Sequence, residues 1–125
     1  MNCFYITGTG RGIGKAIAEE LLTDAENTVI GISRTQGIRS KNYIHHRIDL
    51  SSSEKISAFQ FGEHPLAKQI VLINNAGSLG EVTHLGNLNN NEIAKAFNLN
   101  VTAPAILMNG FIKDVSGASG KKAHC

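Results

Sequence analysis

Apolar residues fall along this chain in two alternating patterns: short continuous runs, and longer stretches with a helical period. Cys3-Phe4-Tyr5-Ile6, Thr28-Val29-Ile30-Gly31-Ile32-Ser33 and Ile70-Val71-Leu72-Ile73 form the runs, each with the length and makeup of a buried strand. Tyr43-Ile44 with Ile48 marks a shorter strand between the second and the last. After the first run, Ile13, Ala16, Ile17, Ala18, Leu21 and Leu22 recur at helical spacing. A longer helical pattern carries Ile93, Ala96, Phe97, Val101, Ala105, Met108 and Ile112, with Pro104 inside it to bend or restart the helix. Ser51-x-x-Glu54 has the form of a capping box and predicts a helix to about Phe61, closed by Gly62 and Pro65.

Strand and helix alternate, which predicts an α/β architecture: a Rossmann-like, doubly wound parallel sheet with helices on both faces. Right-handed crossovers give the strand order 3-2-1-4 and a ligand crevice between strands 1 and 4, where the order reverses. The remaining strands of such a sheet have no counterpart in the 125 residues. Residues 1–112 read as a nucleotide-binding half-domain and residues 113–125 as an irregular tail, because Asp114 to Cys125 lacks the apolar run of a fifth strand. Such a chain looks like a truncated, frameshifted or incomplete form. Its fourth strand would keep an unpaired apolar edge, from which aggregation, edge dimerisation or poor solubility is expected.

The first strand meets the first helix at Thr7-Gly8-Thr9-Gly10-Arg11-Gly12-Ile13-Gly14. The spacing is Thr7-Gly8-x-x-x-Gly12-x-Gly14 rather than G-x-G-x-x-G. Gly8 lets the chain leave the strand sharply, Gly12 lets backbone approach a pyrophosphate, and Gly14 permits close packing of helix on sheet. A phosphate would then meet the amides of Gly12, Ile13 and Gly14 at the helix N-terminus. A glycine-rich loop without a ligand is the alternative.

Composition narrows the rest. With 42% hydrophobic residues and a net charge of +2, the chain can bury one modest core and has no massed cations for nucleic acid. No signal-peptide pattern or membrane-length apolar stretch occurs, so a cytoplasmic location is expected, without nucleic-acid or membrane partners. Cys3 and Cys125 support neither a disulfide framework nor a zinc site. His45 and His46 are adjacent and would face opposite ways on a strand, so no metal site is assigned.

The residues after the second strand bear on the choice of nucleotide. NAD-binding sheets place an acidic residue there to grip the ribose hydroxyls. Here the place is held by Ser33-Arg34-Thr35: Arg34 can pair with a 2′-phosphate, and Ser33 or Thr35 can donate to it. NADP is therefore the expected cofactor. Arg11 adds positive potential on the same side, unless both arginines are ordinary solvated residues. Asp49 has the placement either to accept from an adenine amino group or to satisfy backbone donors at the start of a helix.

Four features in order, Thr7-Gly8-x-x-x-Gly12-x-Gly14, Asp49-Leu50, Asn74-Asn75-Ala76-Gly77 and Asn98-Leu99-Asn100-Val101, resemble the short-chain dehydrogenase/reductase family. The resemblance reaches about Phe111 and covers the N-terminal half of that family's fold. It implies that Asp49-Leu50 lies at the adenine end and that Asn75 supports the sheet and the cofactor pocket. Ala76 and Gly77 would let backbone approach the nicotinamide ribose, and Asn100 would help hold a water in a proton relay. Asn100 could instead satisfy a helix kink near Pro104. Asn74 to Gly80 is also similar to the sepiapterin reductase and diketone reductase group of the family.

The resemblance implies NADPH-dependent reduction of a small ketone or diketone, in a complete protein that forms homo-oligomers. The family's catalytic Ser and Tyr-x-x-x-Lys do not occur here: the only tyrosines are Tyr5 and Tyr43, and Tyr43 to Arg47 imitates the spacing on a predicted strand. This chain alone is expected to be inactive. A non-catalytic dinucleotide-binding or interaction module, or an inactive truncated product, is the alternative.

Overall fold

The computed structural model describes residues 1–78, 86–116 and 123–124. Five parallel strands, β1 (Asn2–Thr7), β2 (Asn27–Ser33), β3 (Tyr43–Arg47), β4 (Gln69–Ile73) and β5 (Ala123–His124), form one sheet in the order β3-β2-β1-β4-β5. The predicted order 3-2-1-4 is present, with β5 added beyond it. Helix α1 (Gly12–Leu21) follows β1, and the short helix α2 (Ser53–Ser57) follows β3. Helix α3 (Asn90–Phe97) runs through a π-helical turn, Asn98–Thr102, into α4 (Ala103–Phe111) and a second π-helical turn, Ile112–Ser116. Pro104 is the second residue of α4, and the backbone before it stays helical, so the run does not restart there; the proline falls where the helix passes from the wider π-turn to α-helical bonding.

Side chains on β1 alternate between two cores. Cys3 and Tyr5 join Ile56, Leu107 and Phe111 on the face covered by α2 and α4; Phe4 and Ile6 join Ile17 and Ala18 of α1 on the other. The first core centres on edge-to-face rings. Tyr5 lies 4.8 Å from Phe61, and Phe61 lies 5.3 Å from Phe111.

That aromatic cluster explains why α2 stops short of the predicted Phe61. Phe59 and Phe61 turn inward, the Phe61 N–H donates to Asp114 Oδ2 (3.1 Å), and the Gly62 N–H donates to the Tyr5 hydroxyl (3.0 Å). These amides are satisfied by side chains rather than by helix carbonyls. The cap also falls one residue later than the capping box suggests. Ser51 donates its hydroxyl to Asp49 Oδ1 (2.6 Å), and Ser52 accepts from the Lys55 N–H instead.

Two expectations for the C-terminal residues need correction. The helical run continues through Ser116 rather than ending at 112, with Val115 buried in the first core. Ala123 and His124 pair with Ile70 and Val71. The open N–H and C=O groups of the β4 edge attract whatever strand can reach them, even one with no apolar run of its own. Residues 79–85, which include most of the Asn-rich loop's start and Leu79-Gly80, lie outside the described residues, as do 117–122 and 125.

Candidate nucleotide site

β1 and β4 carry the chain out of the same end of the sheet, and the turns that follow are tied together by one hydroxyl and one amide. Thr7 Oγ1 accepts from the backbone N–H of both Asn75 and Ala76, each at 3.0 Å. The Asn75 side-chain amide donates to the carbonyls of Thr7 (3.3 Å) and Gly8 (3.5 Å). Asn75 thus supports the sheet end and the glycine turn, as its place in Asn74-Asn75-Ala76-Gly77 implies.

Within the turn the glycines differ in what they permit. Gly8 has φ +77° and lies so close to Ala76 that an added Cβ would come within 3.0 Å of its Cα. Gly12 has φ +61° and open space around the position of a Cβ, so backbone is bare to the cleft there. A Cβ on the buried Gly14 would run into the Gly8 carbonyl and the Asn75 amide.

The start of α1 is built unlike those of α2 and α3. Ser52 and Asn89 cap the latter two with their side chains, and Glu54 and Glu92 add a negative charge to the first turn. Helix α1 has no side-chain cap and no acid in its first turn, and its N-cap residue is the cation Arg11. Amides without a side-chain cap, beside a positive side chain, have the chemistry that suits an anion.

A cleft of about 880 Å³ opens beside this turn. Gly8, Gly10, Arg11 and Gly12 form one wall, Ser33, Arg34 and Thr35 the next, Asp49 and Leu50 a third, and Asn75, Ala76 and Gly77 a fourth. Of the residues the sequence pointed to, Gly14 lies beneath the turn as a packing glycine. Ile13 is left 73% exposed on the first turn of α1, and neither it nor Asn100 lines the cleft.

Arg34 is exposed and, among the described residues, makes no ion pair. Ser33 is buried, and its hydroxyl donates to the Thr35 carbonyl at 2.8 Å, so it shapes the turn rather than facing the cleft as a free donor. Asp49 accepts at Oδ1 from the Ser51 hydroxyl and the Ser51 N–H (3.0 Å). These bonds, the hydroxyl first, hold its carboxyl below the usual range, with smaller help from the charges of Arg34 and Lys55. Asp49 thus satisfies one backbone donor ahead of α2, the Ser51 N–H, and lines the cleft.

Asn100 lies in the π-helical turn. Its side chain brackets one residue of the facing loop, accepting from the Ser78 N–H (2.8 Å) and donating to the Ser78 carbonyl (2.6 Å). A π-turn widens the helix and aims a side chain off the regular ladder. Here it reaches the residue after Gly77, whose missing Cβ would lie 3.2 Å from Asn100 Oδ1.

Sequence reasoning missed several contributors. Thr7, in the glycine motif, ties the two turns together beneath the cleft, and Ile48, Ser51, Ser78, Glu92, Lys95, Ala96 and Leu99 line it. Ala96 could have been found from its place in the helical period. Thr7 could not, because its hydroxyl acts across 68 residues.

A parallel sheet with a glycine turn, an uncapped helix start and a cleft at the reversal of strand order defines a Rossmann-type fold. Residues 2–122 match the short chain dehydrogenase family, and the chain belongs to that family. It is 35% identical to the benzil reductase ((S)-benzoin forming) of Bacillus subtilis, over 98% of this chain and 52% of that protein. It is 31% identical to the diacetyl reductase [(S)-acetoin forming] of Staphylococcus epidermidis, over 77% of this chain and 41% of that protein. Among solved structures, a short-chain dehydrogenase/reductase from Burkholderia vietnamiensis superposes with a TM-score of 0.84 at 25% identity, covering 98% of this chain and 62% of that one. The chain therefore spans about half the length of the curated relatives it matches.

Proposed function

We propose that this chain is the NADP-binding half of a short-chain reductase that reduces a small ketone or diketone. One observation carries the choice of nucleotide: Arg34, a cation without an ion-pair partner among the described residues, lines the same cleft as Gly12 and the uncapped start of α1. A carboxylate at that place would repel a 2′-phosphate, whereas a guanidinium can pair with it in two parallel hydrogen bonds. The bare backbone at Gly12 fits a pyrophosphate, and Arg11 adds charge on its side.

In this reading Arg11, Gly12 and the backbone amide of Ile13 hold the pyrophosphate, with the Ile13 side chain outside the cleft, and Arg34 holds the 2′-phosphate. Asp49 and Leu50 border the adenine. Asn75, Ala76 and Gly77 line the nicotinamide end, and Asn100 orders the loop at Ser78 beside it. The bound nucleotide supplies a hydride to a carbonyl carbon. The relatives named for benzil and diacetyl support a dicarbonyl as substrate. Among the described residues no helix is long and apolar enough to cross a membrane, which is compatible with a cytoplasmic site of action. Ile93, Phe97, Val101 and Ile112, each about half exposed or more along the last helical run, support a homo-oligomer for the complete protein.

The test is a calorimetric titration of the chain with NADP and with NAD. NADP should bind more tightly, and equal affinities would overturn the assignment. A second reading, a non-catalytic dinucleotide-binding module, is favoured by the lack of Tyr-x-x-x-Lys in the 125 residues. Sequencing the gene past codon 125 separates the two: a downstream Ser and Tyr-x-x-x-Lys in any frame supports the reductase.

A further inference from the structure

Gly31 occupies the middle of β2, where a residue without a side chain weakens a strand and signals that something approaches closely. Two hydroxyls fill the space its Cβ would need, those of Thr9 in the glycine turn and Tyr43 at the start of β3. They lie 2.8 Å apart, and both residues are buried. The Tyr43 hydroxyl continues to His45 Nδ1 at 2.7 Å, and His45 Nε2 reaches the Ser33 carbonyl at 3.2 Å.

One carbonyl fixes the direction of the whole chain. A carbonyl oxygen can only accept, and the Ser33 hydroxyl, 3.4 Å from Nε2, already gives its proton to the Thr35 carbonyl, so His45 Nε2 carries the proton and Nδ1 is bare. Tyr43 therefore donates to His45, and Thr9 donates to Tyr43. Burial opposes a charged ring and so favours this neutral form, as do Arg47 and His46 nearby; only the bond to the Ser33 carbonyl pulls the other way.

The two ends of this chain are the two sides of the cleft's phosphate end. Thr9 stands between Gly8 and Gly10, and a Cβ on Gly10 would come within 2.7 Å of the Thr35 carbonyl, so the glycine turn and the turn after β2 already touch. The Ser33 carbonyl belongs to the peptide plane that leads into Arg34. The Ile48 N–H also donates to that carbonyl (3.2 Å), so backbone just past β3 and the His45 ring hold the plane together and set the direction in which Arg34 leaves the strand.

We propose that Tyr43 and His45 are positioning residues for the 2′-phosphate, forming a buried polar strut that locks the Ser33–Arg34 peptide to the glycine turn and so aims Arg34. This rests on the NADP reading above. The role would be specific to the phosphate-bearing nucleotide, because NAD has nothing for Arg34 to grip.

The test combines ¹⁵N NMR of the histidine rings with calorimetric titrations of NADP and NAD on the chain and its Tyr43→Phe, His45→Gln, His45→Leu and Arg34→Asp variants. The wild-type His45 ring should show a protonated Nε2 and a bare Nδ1; a protonated Nδ1 with a bare Nε2 overturns the strut. His45→Leu should weaken NADP about tenfold and NAD less than about twofold, the size of one lost buried hydrogen bond. Glutamine can both donate to the Ser33 carbonyl and accept from Tyr43, so His45→Gln should recover NADP binding to within about threefold of wild type. Tyr43→Phe keeps the packing and should still lower the NADP preference. Equal losses of NADP and NAD in the His45 and Tyr43 variants would reduce the strut to general support and overturn the proposal. A wild-type NADP preference that Arg34→Asp abolishes and His45→Leu leaves intact overturns the role of His45 alone. No wild-type preference, unaltered by Arg34→Asp, overturns the NADP reading itself.

Discussion

Gly12 and Gly14 are two residues apart on the same turn, yet they should fail in different ways when given a methyl group. At Gly14 the added Cβ meets the Gly8 carbonyl and the Asn75 amide, neither of which can swing aside without moving β1 or β4. Because backbone cannot yield as a side chain can, overpacking here takes the upper part of its usual range, about 2–3 kcal/mol, and losing an Asn75 bond to the turn adds about 1 kcal/mol. Alanine's better helix propensity returns about 1 kcal/mol, leaving a net loss of about 2–3 kcal/mol. In a domain of this size that lowers Tm by about 8–15 °C. At Gly12 nothing stands in the way, and the cost is that of a left-handed φ for an L-residue, about 1–2 kcal/mol, or roughly 3–8 °C. The Gly12 methyl, however, stands where the nucleotide's backbone contacts are expected, so Gly12→Ala should weaken NADP by more than about tenfold. Thermal unfolding followed by circular dichroism, paired with nucleotide titration at a temperature where both variants are folded, separates the two effects. A Gly14→Ala chain melting within about 2 °C of wild type, or a Gly12→Ala chain melting below Gly14→Ala, would refute the division of labour.

Arg34→Asp should weaken NADP by about tenfold or more and leave NAD nearly unchanged, as measured by calorimetry; equal losses would remove the assignment of this cation to the 2′-phosphate. Asn100→Ala deletes both bonds to Ser78, so the Ser78 amide should exchange its hydrogen faster, and exchange at the wild-type rate would show that the π-turn does not hold the loop. His45 has a lowered folded pKa, chiefly through burial, so below the ordinary histidine value of 6.5 the unfolded chain binds more protons than the folded one. Stability should therefore fall as pH drops from about 6.5 through the folded pKa, and His45→Gln should flatten that part of a denaturant-midpoint profile. Phe97→Glu should raise the concentration at which the chain self-associates in sedimentation experiments, because Phe97 is 61% exposed on an apolar stripe.

The parts of this fold that were legible in the sequence are those whose cause is local. Continuous apolar runs marked β1, β2 and β4, the glycine spacing marked the strand-to-helix turn, and alternation with right-handed crossovers gave the order of the first four strands. Pro104 marked the place where the last helical run passes from π-helical to α-helical bonding. What was illegible depends on distant partners. Helix α2 ends early because Tyr5 and Asp114 take the Gly62 and Phe61 amides, and no pattern within residues 51–61 contains either partner. Ser51 belongs to Asp49 rather than to the helix because two hydrogen bonds to one carboxylate oxygen outbid a cap. The pairing of Ala123 and His124 with β4 follows from an open edge, not from any apolar character of the pair.

The strut through Thr9, Tyr43 and His45 lies between these extremes, since its sign was present but unread. Gly31 interrupts the densest β-branched run in the chain, and a mid-strand glycine asks what fills the space above it. Tyr43 and His45 share a face of β3, two residues apart, while His46 turns to the opposite core and packs 5.2 Å from Phe59. The same alternation that argued against a metal site at His45-His46 thus separates their roles. One histidine fills out an aromatic cluster. The other reaches the carbonyl that precedes Arg34, and so connects the residue that would choose the nucleotide to the turn that would hold its pyrophosphate.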